Sequence, residues 1–170
     1  MRKFVLIAVA VLHFLLLDAV TKELAVGHLK GTPGRSVIDG FFNLAYVENK
    51  GCAWGMFQGH VWPLAVFGVL ALAAIAWKRR DLFLLDARGW RRKAGIWAEL
   101  LLYAGIIGNL IDRLFRGKVI DFFDFHWSEA YHFPCFNFAD IYICVAAGLL
   151  ILLSFTAPKK AASEEKTPAS

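Results

Sequence analysis

In the stretch Gly105 to Phe125, an apolar run that could cross a bilayer ends with Asn109, Asp112 and Arg113 still inside its pattern, and Asp121 follows soon after. A charged side chain at the centre of a spanning helix costs roughly 2.5 to 3.5 kcal/mol even on lenient insertion scales, so such groups usually mark a site. Asp18 and Asp140 lie near the ends of two other apolar runs. Two carboxylates held close together away from water cannot both ionise easily. Such a pair keeps one proton, with one member as base and the other as acid at the same pH. It can activate a water against an amide carbonyl and then protonate the leaving nitrogen. Other hydrolytic schemes lack their parts, since no G-x-S-x-G, H-E-x-x-H or P-loop pattern occurs. His126, Glu129 and His132 are the metal-like cluster, but their spacing matches no zinc signature, and neither a metal nor another cofactor is expected. Cys135 near His132 offers a thiol and a base.

Of the 170 residues 58% are hydrophobic, and the mean hydropathy is +0.52. A soluble domain would be unusually apolar at that level. Runs of about 17 to 25 residues suit a bilayer core about 30 Å thick, and four qualify, at about 4–20, 61–77, 96–114 and 138–155. They predict an α-helical membrane protein with four transmembrane helices in a single domain, 1–157, followed by a disordered cytoplasmic tail, 158–170. The formal charge of +5 invites a nucleic-acid reading. Its basic residues, however, flank the apolar runs: Arg2 and Lys3, the stretch from Lys78 to Lys93, and Lys159 with Lys160. No nucleic-acid partner is therefore expected.

The positive-inside rule places both termini and the middle loop in the cytoplasm, so 23–60 and 115–137 face outward. Asp18, Asp112, Asp121 and Asp140 then share one outer depth. The start resembles a secretory signal, but its run continues into Asp18, Thr21 and Lys22 without a cleavage site, which predicts a retained helix. Cys52, Cys135 and Cys144 form no dense pattern, and a Cys52–Cys135 disulfide is not expected.

The elements that must position these residues can be read in turn. Asp18 and Lys22, four apart, share a helix face as an interfacial ion pair that holds the site together. The outer segment 29–60 predicts a small β-hairpin or sheet platform. In it, Phe41 to Val47 is one strand, Asn49-Lys-Gly51 turns, and Ala53 to Phe57 returns, with Trp54, Met56 and Phe57 at the interface. Its edge could receive an extended peptide. The second run carries no ionisable residue and reads as scaffold, while the basic loop Lys78 to Lys93, with its apolar patch Leu82 to Leu85, suits an anionic leaflet. Glu99 snorkels or pairs with a loop arginine.

In the third run, Gly105 and Gly108 admit a neighbouring backbone. Asn109 and Arg113 point together into the bundle, and Asp112 beside Arg113 reads as an ion pair at the helix end. Val119 to Phe125 reads as an extended re-entrant piece in which Asp121 and Asp124 face opposite sides. Spacing does not say which of the two looks inward. Asn137 is an N-cap with Asp140 at the third helical position.

Taken in order, Asp18-x-x-Thr-Lys22, Asn49-Lys-Gly-Cys-Ala-Trp54, Gly105-x-x-Gly-Asn-x-x-Asp-Arg113, Val119-Ile-Asp-Phe122 and Phe136-Asn-Phe-Ala-Asp140 resemble the motifs of the bacterial lipoprotein signal peptidases, signal peptidase II, an aspartic peptidase family. The match runs nearly to Phe155, with Ala19 where the family usually has Gln. The resemblance implies that Asp121 and Asp140 are the catalytic pair, rather than Asp124 or Asp112. It also implies that Asn49, Gly51, Asn109, Arg113 and Asn137 line or support the substrate site, with Asp112 structural. Small residues such as Gly51 and Ala139 leave room for backbone approach.

The implied substrate is a prolipoprotein whose cysteine carries diacylglycerol, cut on the amino side of that cysteine. Lipidated prolipoproteins and membrane lipid are thus the expected partners of a monomeric, multi-pass protein of the bacterial inner membrane, with its active site near the outer leaflet. The competing reading of the same acids is a proton-coupled transporter or a passive scaffold.

Overall fold

The computed structural model describes residues 2–52, 56–128 and 131–156, with side chains from residue 7 onward. Ala53, Trp54 and Glu129, the side chains of Arg2 and Lys3, and the expected tail lie outside the described residues. Helix α1 (Arg2–Leu29) leads into strands β1 (Arg35–Ile38) and β2 (Phe42–Asn49). Helices α2 (Val61–Leu82) and α3 (Gly89–Arg116) follow, then strands β3 (Val119–Ser128) and β4 (Tyr131–His132), and last helix α4 (Phe138–Phe155).

The fourth helix has the bounds expected from its apolar run. The others are longer, because hydropathy marks only the stretch that suits lipid, whereas a helix continues wherever its polar side chains find partners. Thus α1 runs on through Lys22, and α2 takes in Lys78, Arg79 and Arg80. Glu99 is buried on α3 and pairs with Arg79 from the last turn of α2. Helices α2, α3 and α4 are each long and apolar enough to cross a membrane. On α2 only Ala65 is buried among the described residues, while Trp62, Phe67 and Leu70 stand exposed. That distribution fits a lipid solvent rather than water.

The platform is a sheet, but its pairing differs from the expected hairpin. Strand order is β1-β2-β3-β4, and each neighbouring pair is antiparallel. Both edges of β2 are therefore filled, by β1 before it and by β3 from far along the chain, and Met56 and Phe57 lie in a turn rather than a returning strand. The β1–β2 reversal uses Gly40 at φ +71°, in the left-handed region that glycine enters without steric cost. The piece read as re-entrant is strand β3, and it sets Asp121 opposite Val47 and Asp124 opposite Asn43.

Helix α3 packs against α1, α2 and α4 and carries more buried positions than any other element. Gly105 and Gly108 make this possible. A Cβ on Gly105 would lie 2.5 Å from the Ala139 carbonyl oxygen, and one on Gly108 would lie 2.8 Å from Asp18 Oδ2. Ala139, fully buried, is small for the same reason: the backbone it admits is that of α3. Aromatic rings fill the space around this seam, with Phe14 edge-on to Tyr142 at 5.1 Å and Phe123 edge-on to Phe138 at 5.2 Å.

Gly105→Val should lower stability by about 1 to 3 kcal/mol, because the obstacle is backbone that cannot yield. Gly148→Ala, with nothing within 4 Å of the added carbon, should leave the melting temperature in detergent unchanged or slightly raised.

Candidate active site

Asn137 caps α4, and its side-chain Oδ1 accepts the Asp140 N–H at 3.1 Å while Asp140 Oδ2 accepts the Asn137 N–H at 3.1 Å. This reciprocal cap commits the amide oxygen, so the amide nitrogen must point the other way. It donates to Asp121 Oδ1 at 2.7 Å and also faces the Ile120 carbonyl and Asn109 Oδ1. One capping residue thus touches both carboxyl groups.

Two further amides repeat the device. Asn109 Oδ1 accepts from Lys22 Nζ at 3.2 Å and from Asn137 Nδ2 at 3.1 Å, leaving its Nδ2 to donate to Asp140 Oδ1 at 2.7 Å. Asn49 Oδ1 accepts the Gly51 N–H at 2.9 Å, leaving its Nδ2 to donate to Asp121 Oδ2 at 2.9 Å. In each case a donor on the oxygen decides which way the nitrogen points. Asp121 is 1% exposed, and its carboxyl is pushed up to about 7, by burial first and by the neighbouring Asp140 charge second. The hydrogen bonds from Asn49 and Asn137 oppose that rise.

Behind the acids lies a second charge cluster. Lys22 Nζ, itself 1% exposed, is 2.8 Å from Asp18 Oδ2 and 3.0 Å from Asp112 Oδ2. Asp18 Oδ1 accepts the Ala139 N–H at 3.0 Å, and Asp112 accepts from the Ile120 N–H at 3.3 Å and from Arg116 Nε at 2.9 Å. The expected Asp18–Lys22 pair is present, but it is buried rather than interfacial. The expected Asp112–Arg113 pair is not formed, because neighbours on a helix point about 100° apart while residues four apart share a face. Arg116 was missed as the partner of Asp112, although that same spacing could have found it. Arg113 instead donates to the Gly51 carbonyl at 3.0 Å and to the Asn109 carbonyl at 3.4 Å.

Asn49, Asn109, Arg113, Asp121 and Asp140 line a cavity of about 410 Å³. A second, of about 690 Å³, lies between α2 and α3 against Leu64, Phe67 and Ile106, and shares Asn109, Arg113 and Asp140 with the first. Gly51 lines neither cavity: it is buried, its carbonyl accepts from Arg113, and a Cβ there would press on the Met56 carbonyl. Asp124 faces the other side of β3, toward His126 and His132. Cys52, Cys135 and Cys144, also on the cavity wall, are free. The Cys135 thiol is pushed up to about 12 by burial, which disfavours the thiolate that a nucleophile at that position would need.

A mostly helical membrane fold, a small antiparallel sheet and a carboxyl pair beside an apolar trough together describe a membrane enzyme. The family model for Signal peptidase (SPase) II matches residues 9–156. The chain is 37% identical over 141 residues to the lipoprotein signal peptidase of Clostridium acetobutylicum, covering 83% of this chain and 86% of that one. It is 39% identical over 126 residues to the lipoprotein signal peptidase of Haemophilus influenzae, covering 74% and 71%. A solved structure described as a bacterial membrane enzyme, obtained by the in meso method at 2.3 Å resolution, matches with a TM-score of 0.73 and 29% identity over 92% of both chains. The chain belongs to the signal peptidase II family, whose members are lipoprotein-processing proteases.

Lys22→Met should strand the carboxylates of Asp18 and Asp112 and cost about 3 to 5 kcal/mol, as removal of one partner from a buried ion cluster does. Denaturation of the purified protein in detergent reads this directly, and a loss under about 1 kcal/mol would contradict the arrangement.

Proposed function

We propose that Asp121 and Asp140 act as an aspartic dyad that hydrolyses the peptide bond on the amino side of a diacylglyceryl-modified cysteine in prolipoproteins. The observation that carries this reading is the hydrogen bonding of Asn137 to both carboxyl groups, which line a cavity that shares Asn109, Arg113 and Asp140 with a neighbouring apolar trough. The pair holds one proton. The ionised carboxylate removes a proton from a water placed between the two, the water oxygen adds to the scissile carbonyl, and the neutral carboxyl supplies a proton to the carbonyl oxygen. Collapse of that intermediate expels the amine as the first carboxyl returns its proton to nitrogen. Asn49, Asn109 and Asn137 hold the dyad in place, and Lys22 with Asp18 and Asp112 supports Asn109.

The substrate's polar backbone runs past Asp121 along the sheet, and Arg113 ties the outer segment to α3 at Gly51. Its acyl chains lie in the trough between α2 and α3, where burial of methylenes contributes about 0.8 kcal/mol each. With α1 as a fourth span, both termini and the basic α2–α3 turn are cytoplasmic, and the dyad sits near the outer face of the inner membrane. The protein acts as a monomer, and the cleavage step itself draws on no cofactor.

Asp121→Asn and Asp140→Asn should each reduce cleavage of a diacylglyceryl-modified precursor peptide by at least about 10²-fold, with melting close to that of the wild type. Cleavage by either variant within a few-fold of the wild type contradicts the dyad.

The Asp121 carboxyl, raised from an ordinary value of 3.8 to about 7, sets a sign for pH. The folded protein favours its neutral form. Stability therefore falls as pH rises from the ordinary carboxylate range toward about 7, and levels off above it. The shared proton is lost over the same upper limb, so kcat/KM should decline as pH passes about 7. A profile flat through that limb contradicts the assignment.

A further inference from the structure

On the face of β3 opposite Asp121, three side chains converge for which the peptidase reading has no use. Asp124 and His126 are two apart on a strand and so share a face, and His132 on β4 stands directly across from His126 in the antiparallel register. We propose that Asp124, His126 and His132 form a binding site for a divalent transition-metal cation of the zinc class, and that the bound ion clamps β4 onto β3. The proposal does not depend on the dyad.

Both imidazoles present Nδ1 to the same carboxylate. His132 Nδ1 is 3.0 Å from Asp124 Oδ1, and His126 Nδ1 is 3.7 Å from Asp124 Oδ2. The rings lie nearly parallel, 24° apart with centroids separated by 5.0 Å. Ligand atoms around one zinc ion, each about 2.0 to 2.2 Å from it, lie roughly 3.3 Å from one another. The three donors here already fall within 4.8 Å of one another, so a small rotation of the rings closes the set.

A hydrogen-bonded Asp124–His132 pair would account for His132 alone. It leaves His126 Nδ1 buried without a hydrogen-bond partner, and a cation satisfies that atom as well. Two imidazoles and one carboxylate suit zinc, cobalt, nickel or copper, whereas calcium and magnesium take oxygen ligands. His132 is exposed, which gives the ion a path in, while Asp124 is buried beneath it. The spacing of His126, Glu129 and His132 could not reveal this set, because its third ligand precedes His126 and the strand pairing brings His132 back.

The clamp bears on the active-site wall. Directly after β4 come Phe133, Pro134, Cys135 and Phe136, all of which line the smaller cavity. A cation holding His132 to β3 therefore restrains the segment that leads from the sheet into Asn137.

The test uses full-length, tag-free protein in detergent, stripped with a chelator and titrated with Co²⁺, followed by Zn²⁺. The wild type should bind one equivalent of Co²⁺ with new visible d–d absorption, which Zn²⁺ abolishes, and Zn²⁺ should raise its melting temperature. His126→Ala and His132→Ala should each weaken binding by at least about tenfold, while Asp121→Asn binds as the wild type does. His132 is exposed, so metal-free His132→Ala should melt like the wild type, and His132→Gln provides the same comparison with a polar side chain kept. Equal affinity in the wild type and the His126→Ala/His132→Ala double variant overturns the proposal. So does loss of binding in Asp121→Asn with retention in both histidine variants, which would place the ion on the acid pair.

Discussion

The ammonium of Lys22 is shared by Asp18, Asp112 and the amide oxygen of Asn109, and the cost of leaving any of these charges unpaired away from water fixes how the elements meet. Asp18 passes the constraint to α4 through the Ala139 N–H, and Asp112 passes it to β3 through the Ile120 N–H. An ion buried in this way need not add net stability, since desolvation opposes the Coulomb attraction. What it supplies is geometry: α1, α3, α4 and β3 meet in an arrangement that satisfies all of these partners at once. The absent side chains of Gly105 and Gly108 let the helices come close enough for it to form.

The same constraint reaches the carboxyl pair one hydrogen bond later. Because Lys22 and Asn137 both donate to the oxygen of Asn109, its nitrogen is left facing Asp140, and because the helix cap takes the oxygen of Asn137, its nitrogen is left facing Asp121. Burial opposes ionisation of Asp121 while these neutral donors favour it, and the two effects leave the group near neutrality rather than at either extreme. An ammonium in direct contact would have held the carboxylate ionised. Amides position the pair without removing its ability to carry a proton, which suits general acid–base chemistry near neutral pH.

Much of this was legible in the sequence wherever the relevant contact is local. The cap of α4, the Asp18–Lys22 pair and the glycines at the helix seam all follow from spacings within one helix, and each is present. Contacts between distant segments were not legible. Strand formers at Phe41 to Val47 announced a strand, but nothing local said that its partners would be Arg35–Ile38 and a strand from beyond α3. Alternation put Asp121 and Asp124 on opposite faces, and only the sheet's placement against the bundle decided which one shares Asn137 with Asp140. The partners of Asp112 were misread because adjacency in sequence was given more weight than helical spacing, and α1 outran its apolar run because Lys22 finds its charge partners inside the protein.

Titration of Asp121 shows whether it is a buried carboxyl coupled to Asp140. Carboxyl ¹³C NMR of aspartate-labelled protein, with Asp121 assigned by difference from Asp121→Asn, would follow the group across pH in the wild type and in Asp140→Asn. The expected result is a wild-type midpoint at about 7 and a lower one when the neighbouring charge is removed, burial keeping it above the ordinary carboxylate range. A midpoint in the ordinary range, unchanged by Asp140→Asn, would contradict it.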